Sequence, residues 1–318
     1  MRAMPPPAAP RAVQVARFSD AAALEAAAPW GRCAITPLHP AFAADLVALD
    51  LDDIRLESGR CSPAAVVGVR PPGSVAIVLP LDAPGRVRLM GRPAAAHMLF
   101  ACGPGAAFEV VATQEARWAL VALPAAACGR LLGIPAGSCV ARAGAIALYR
   151  ADPVAWRGLA VLLGQAARVA RRSPEIFDVA ETRRSLRASV IEALHPLLAR
   201  APDGHAKCPI RPAPPGARRI VHAAVDLLGA DPARAAGPAP LAAAIGVAEP
   251  RLRRAFLDIL GMTPDRYLLR RRLLMARAAL RVPEAPSVPE IAAAHGFRHP
   301  GHFQRAYRAL FAEAPARG

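Results

Sequence analysis

Two stretches near the C-terminal end repeat one pattern, and that repeat constrains the fold more than any other feature of the chain. Ala242-Ala243-Ala244-Ile245-Gly246-Val247 leads into Leu252-Arg253-Arg254-Ala255-Phe256. About fifty residues later, Ala292-Ala293-Ala294-His295-Gly296-Phe297 leads into Phe303-Gln304-Arg305-Ala306-Tyr307. Each copy reads as a short alanine-rich helix, a tight turn at glycine and a second helix, with one more residue in the second turn. Two such units are an internal duplication of a helix-turn-helix.

Local signals agree with this. Ser287 and Glu290 have capping-box spacing ahead of Ile291, and Gly296 is able to take the left-handed turn that stops the helix. Phe303, Tyr307 and Leu310 share one helical face, which turns Gly301, Gln304, Arg305 and Arg308 outward. In the first unit Leu252, Phe256 and Ile259 form the apolar stripe, leaving Pro250, Arg253, Arg254 and Leu257 outward. Arginine and glutamine are side chains suited to guanine and adenine edges in a major groove. Thr263-Pro264-Asp265 opens a helix running to about Arg281. Its length of roughly 27 Å suits a rod that sets two helices into successive grooves about 34 Å apart.

Charge follows the repeat. The chain of 318 residues carries +16 formally, and Lys207 is its only lysine. Residues 217–318 hold 16 arginines against 8 acids, half of the excess. A basic balance of this size points to a polyanionic partner such as nucleic acid or an acidic membrane surface, and its concentration in the repeated helix-turn-helix favours double-stranded DNA. The remaining +8 is spread over residues 1–216 and reads as compositional. Arg266, Arg270 and Arg277 fall on the polar face of the connecting helix, and Arg271, Arg272 and Arg281 read as solvated side chains.

Residues from about Arg218 to Pro315 resemble the DNA-binding domain of the AraC/XylS family. The first half is carried by Gly246-Val247, Leu252, Arg254, Phe256 and Gly261-Met262-Thr263-Pro264. The second is carried by Gly296-Phe297, His302-Phe303, Arg305, Tyr307-Arg308 and Pro315. The resemblance implies seven helices in two subdomains and base-facing positions at Pro250, Arg253, Arg254, Pro300, Gly301, Gln304 and Arg305, with Arg251 and Arg308 also set against DNA. Pro300-Gly301 offers no polar side chain to a base, so the second helix is expected to read through Gln304 and Arg305. Ala248 replaces the usual capping serine, and Ala312 the usual glycine before the last proline. The resemblance further implies an activator that contacts RNA polymerase, acts as a homodimer and answers to a small-molecule effector.

The rest of the chain is read by period. Between Ala34 and Leu123, short apolar runs such as Leu46–Leu51, Val75–Leu79 and Trp118–Leu123 are separated by turn signals including Pro71-Pro72-Gly73-Ser74. These predict a β-sandwich or barrel. Followed by helices, this stretch looks like the cupin-like effector domain of the family. Asp152-Pro153 and Ser173-Pro174 each put a capping residue before a helix-opening proline. The expected class is α+β: a disordered tail at 1–10, a β-rich cupin-like domain at 11–150, a helical dimerisation segment at 151–200, a Pro/Gly linker at 201–216 and an all-α double helix-turn-helix at 217–318.

Several chemistries find no footing. No apolar run is long enough for a membrane span or a signal peptide, and the six cysteines lack zinc spacing, which together predict a cytoplasmic protein with no membrane partner. His295, His299 and His302 are split by the turn at Gly296, so no metal is expected there. His39 and His97 are too scattered for a catalytic metal in a cupin, and no cysteine has the setting of a DNA alkyl-transfer protein. Those two enzyme readings are the alternatives; the expectation is no catalytic residue, no metal and no cofactor.

Overall fold

The computed structural model describes residues 12–316 except 29, 83, 134–141, 199–212 and 234–236. The tail at 1–10 and most of the linker at 201–216 therefore lie outside the described residues. The order of elements is β1 (Val13–Phe18), α1 (Ala21–Ala27), β2 (Arg32–Pro37), β3 (Ala44–Leu51), β4 (Ile54–Cys61), β5 (Ala64–Val69), β6 (Ser74–Pro80), β7 (Val87–Leu89), β8 (Arg92–Pro93), β9 (Met98–Cys102), β10 (Ala107–Ala112), β11 (Ala116–Pro124), α2 (Ala125–Leu132) and β12 (Ile146–Arg150). Then come α3 (Pro153–Arg172), α4 (Ala180–Leu198), α5 (Pro215–Ala230), α6 (Pro238–Ala244), α7 (Glu249–Leu260), α8 (Pro264–Leu280), α9 (Val288–Ala294) and α10 (Pro300–Phe311).

The strands form two antiparallel sheets. One has the order β1-β3-β4-β11-β6-β9-β12, the other β2-β5-β10-β7-β8. Alternation along each strand decides what each face meets. In β10, Phe108, Val110 and Ala112 point into the space between the sheets, whereas Glu109 and Val111 point away. In β5, Ala64 and Val66 point in and Ala65 and Val67 out. The outward set packs on Val221 and Ala224 of α5 and on Leu252, Phe256 and Ile259 of α7. On the far side, Leu159, Leu163 and Ala170 of α3 and Val190 and Leu194 of α4 cover Val47, Leu49 and Leu56. The molecule is thus four layers: helices, sheet, sheet, helices. Covering both faces of the large sheet explains why β9, Met-Leu-Phe-Ala-Cys, is buried at every position.

Expected strands match these elements closely, and the α+β class holds. Some local readings change. Ser173-Pro174 opens a 3-10 turn at Pro174–Asp178, and Ser173 makes no side-chain cap there; α4 begins only at Ala180. Among the described residues the C-terminal region has six helices where the family pattern implied seven, because the chain leaves α10 through a left-handed Ala312 and continues without another helical turn.

The two helix-turn-helix units form as the repeat requires. Four residues separate α6 from α7 and five separate α9 from α10, which is the extra residue in the second turn. Gly246 and Gly296 sit at φ 71° and 77°, left-handed conformations that favour glycine. The Ser287/Glu290 capping box is complete, whereas Ala248 gives α7 no side-chain cap. Ala312 closes α10 at φ 56°, where a side chain is strained. Ala312→Gly is expected to raise stability by about 1 kcal/mol, read as a higher urea midpoint with an unchanged slope.

Candidate nucleic-acid interface and its control surface

α7 and α10 are amphipathic, and burial fixes which faces they show. In α7, Leu252, Ala255, Phe256, Ile259 and Leu260 are buried, while Pro250, Arg251, Arg254 and Leu257 are exposed. In α10, Phe303, Tyr307 and Leu310 are buried, and Pro300, Gly301, Gln304, Arg305 and Arg308 are exposed. A ring stack along Phe297, Phe303, Tyr307 and Phe311, with neighbouring centroids 4.6–5.5 Å apart, holds α10 in its rotation. A Cβ on Gly301 would lie 3.8 Å from Nη1 of Arg305, so that guanidinium passes close over Gly301.

The arginines differ in what holds them. Arg254 pairs with Asp258 at 3.0 Å. Arg253 is only half-buried but is bound by Glu249 and Asp265, each at 2.8 Å, and these hydrogen bonds raise its pKa. Any contact it makes to DNA must first break those pairs. Arg251, Arg305 and Arg308 have no ion pair among the described residues and stand free in solvent.

On α8 the expectation fails in an informative way. Arg271 and Arg272 are not solvated side chains, whereas Arg281 stays exposed as expected. Arg272 is 8% exposed, donates from Nη1 to the Gly296 carbonyl at 3.1 Å and lies 4.8 Å over the Phe297 ring, which locks the second unit's turn to the connecting helix. Burial lowers its pKa. Arg271 donates from Nη1 to Glu25 and, at 2.9 Å, to the Ile35 carbonyl, so α8 is tied to α1 and β2. Arg270 reaches the Pro37 carbonyl at 2.6 Å; Arg281 pairs with Asp20 and Arg277 with Glu313. A helical-face reading that followed Leu268, Arg272, Ala276 and Leu280 along one row would have found the buried arginine. The partners across the chain left no such mark in the sequence.

α5 is fixed by a second charged contact. Glu109, 1% exposed, accepts from Arg218 Nε at 2.8 Å and faces His222 Nε2 at 2.6 Å. Arg88 Nη2 donates to the Asp258 carbonyl at 3.0 Å, so the C-terminal half of α7 rests on β7.

Between the sheets lies a cavity of about 120 Å³. Its wall is aromatic and aliphatic, from Trp30, Phe100, Phe108 and Trp118 to Leu24 and Ile35, with Arg70 and Arg117 as charged members. Leu24 is adjacent to Glu25, and Ile35 is the residue whose carbonyl holds Arg271, so one wall of the cavity is also the seat of α8. Cys33, Cys61, Cys102 and Cys128 are free thiols; Cys139 and Cys208 lie outside the described residues. Among the described residues no group of three or more His, Cys, Asp or Glu is placed to hold a metal, and no helix is long and apolar enough to cross a membrane.

Comparison with known proteins agrees with the geometry. A family model described as a helix-turn-helix domain matches residues 241–317. A transcriptional regulator from Chromobacterium violaceum with an AraC-type DNA-binding domain is 32% identical, over 31% of this chain and 88% of its own, with a TM-score of 0.29. The AraC-like transcriptional activator CuxR is 15% identical over 88% of this chain and all of its own, with a TM-score of 0.43. ToxT from Vibrio cholerae is 8% identical over 96% of both chains, with a TM-score of 0.29. No curated protein matches the sequence. Two helix-turn-helix units joined by a rigid helix define a DNA-binding transcription regulator. The chain belongs to the AraC-type family of such regulators.

Removing the Glu109 carboxylate strands Arg218 in a largely dry contact. Glu109→Ala is expected to cost about 3 kcal/mol in urea unfolding, and the pair replacement Glu109→Leu with Arg218→Met to recover most of it.

Proposed function

We propose that α7 and α10 enter successive major grooves and that the occupancy of the cavity between the sheets controls how they do so. The contact set is Pro250, Arg251, Arg253, Arg254, Pro300, Gly301, Gln304, Arg305 and Arg308, with base reading concentrated on Gln304 and Arg305. One observation carries this reading. Arg305 and Arg308 are exposed and unpaired, while five arginines on or just beyond α8 are engaged within the chain. An arginine that spends nothing on intramolecular pairing is free for phosphate or base.

Control follows from the shared wall. A ligand that shifts Leu24 or Ile35 also shifts the groups that bind Arg271, and with them the rod that carries both reader helices. Exposed Val154, Val161 and Val169 along α3, with Ile176 and Val179 after it, support dimerisation through the segment at 151–200. The domain boundaries at 11–150 and 217–318 fit this division of labour. The protein acts in the cytoplasm as an activator that also touches RNA polymerase. By family it is a regulator rather than an enzyme, and burial pushes the thiols of Cys61 and Cys102, both in the cavity lining, up to about 12.

A DNA site selected with the purified protein provides the test. Arg305→Ala is expected to weaken binding to that site at least about tenfold and to relax base preference at one position. Equal weakening on all DNA, with a salt slope smaller by about 1, makes Arg305 a phosphate contact instead. Unchanged affinity removes α10 as a reader.

A further inference from the structure

The two helix-turn-helix units meet at an open depression of about 340 Å³. Arg272 lines it from α8, Gly296 and Arg298 from the second turn, and His299 and His302 from the start of α10. Gly237, the N-cap of α6, closes it from the first unit. Its polar side chains are thus two arginines and two histidines, and no carboxylate lines it among the described residues.

Local structure does not account for these four. Arg298 is exposed and makes no ion pair among the described residues. His299 occupies the N-cap of α10, yet its side chain makes no capping bond. His302 is exposed, with its ring centroid 6.3 Å from that of Phe297 and no side-chain hydrogen bond among the described residues. Arg272 forms the floor. Its hydrogen bond goes to the neutral Gly296 carbonyl, and burial lowers its pKa with no carboxylate acting against that. A buried cation of this kind attracts an anion at the mouth through its field, without touching it.

Placement names the anion. His302 and Arg305 are three residues apart on α10, so the depression is continuous with the outward face of that helix, on its side toward the first unit. DNA that presents successive major grooves to α7 and α10 carries its backbone past this point, with one negative charge per about 1.7 Å of helix axis. From this geometry we infer that the depression seats a DNA backbone phosphate between the two grooves, held by Arg298, His299 and His302 above the charge of Arg272. The contact reads no base; it fixes the register of the second unit against the first. This inference rests on α7 and α10 entering successive grooves.

The test pairs neutralised phosphates with neutralised side chains. Fluorescence anisotropy is measured with the full chain on a selected DNA site in which methylphosphonate replaces one backbone phosphate at a time. At a phosphate between the two groove sites, the replacement is expected to weaken wild-type binding at least about threefold and to leave Arg298→Ala unaffected. Arg298→Ala itself is expected to weaken all DNA alike, with a salt slope smaller by about 1 and base preference intact. His302→Gln, a second exposed position, is expected to blunt the response at the same phosphate. A selected site with no phosphate whose replacement is masked by either variant overturns the inference and leaves the reader helices in place. A changed base preference in Arg298→Ala makes Arg298 a base reader and overturns it too. Heat on calorimetric titration with inorganic phosphate that disappears in Arg298→Ala makes the depression a site for free anions and overturns the backbone assignment. A wild type that selects no DNA site overturns the reading of α7 and α10 and this inference with it.

Discussion

The outer face of a five-stranded sheet has to be covered, and this chain covers it with its own DNA-binding module. Ala65, Val67 and Val111 would otherwise lie in water, and Glu109 is the one carboxylate in their midst, buried to 1% exposure. Burial of such a group is tolerated only with a cation and hydrogen-bonding partners placed against it, and α5 brings the Arg218 guanidinium and the His222 ring. The apolar contact supplies the stabilisation and the charged contact fixes the register. Two halves that the sequence suggests as separable domains are therefore packed as neighbouring layers.

Arginine serves two ends in that arrangement. Arg270, Arg271, Arg272 and Arg277 of α8 lie against the rest of the chain, where Arg271 binds Glu25 and Ile35 and Arg272 binds the turn at Gly296, whereas Arg266 is exposed. Those of α10 face outward and stay unpaired among the described residues. The division has a simple origin. A helix clamped between a sheet and two further helices has little solvated surface, so its long side chains lie along neighbouring backbone and donate to carbonyls. A terminal amphipathic helix retains a free face. The same residue type thus supplies rigidity in the connecting rod and a charged surface at the reader. Rigidity matters here because a recognition helix that rotates on its support loses base contacts.

Much of this was legible in the sequence. The repeat, the capping box at Ser287 and Glu290 and the left-handed glycines specify the two units almost residue by residue, since each signal is local. The strands were legible for the same reason: alternation and turn chemistry are written within a few positions. What escaped was long-range. Asp20, Glu25 and Glu109 look like ordinary surface acids until the fold brings Arg281, Arg271 and Arg218 to them across roughly one to two hundred residues or more. Ser173-Pro174 carried the composition of a helix start, yet the tight entry before α4 made a 3-10 turn of it.

The central claim is that the sheet domain governs DNA reading through its grip on the connecting helix. The most direct measurement is fluorescence anisotropy on a selected DNA site with the wild-type full chain and with Glu25→Ala, across a range of salt. Cutting the Glu25–Arg271 tie removes no DNA contact, so the account predicts at least a fivefold change in Kd with an unchanged salt slope. An identical Kd in a folded variant would contradict it, because α8 would then be indifferent to the domain it rests on.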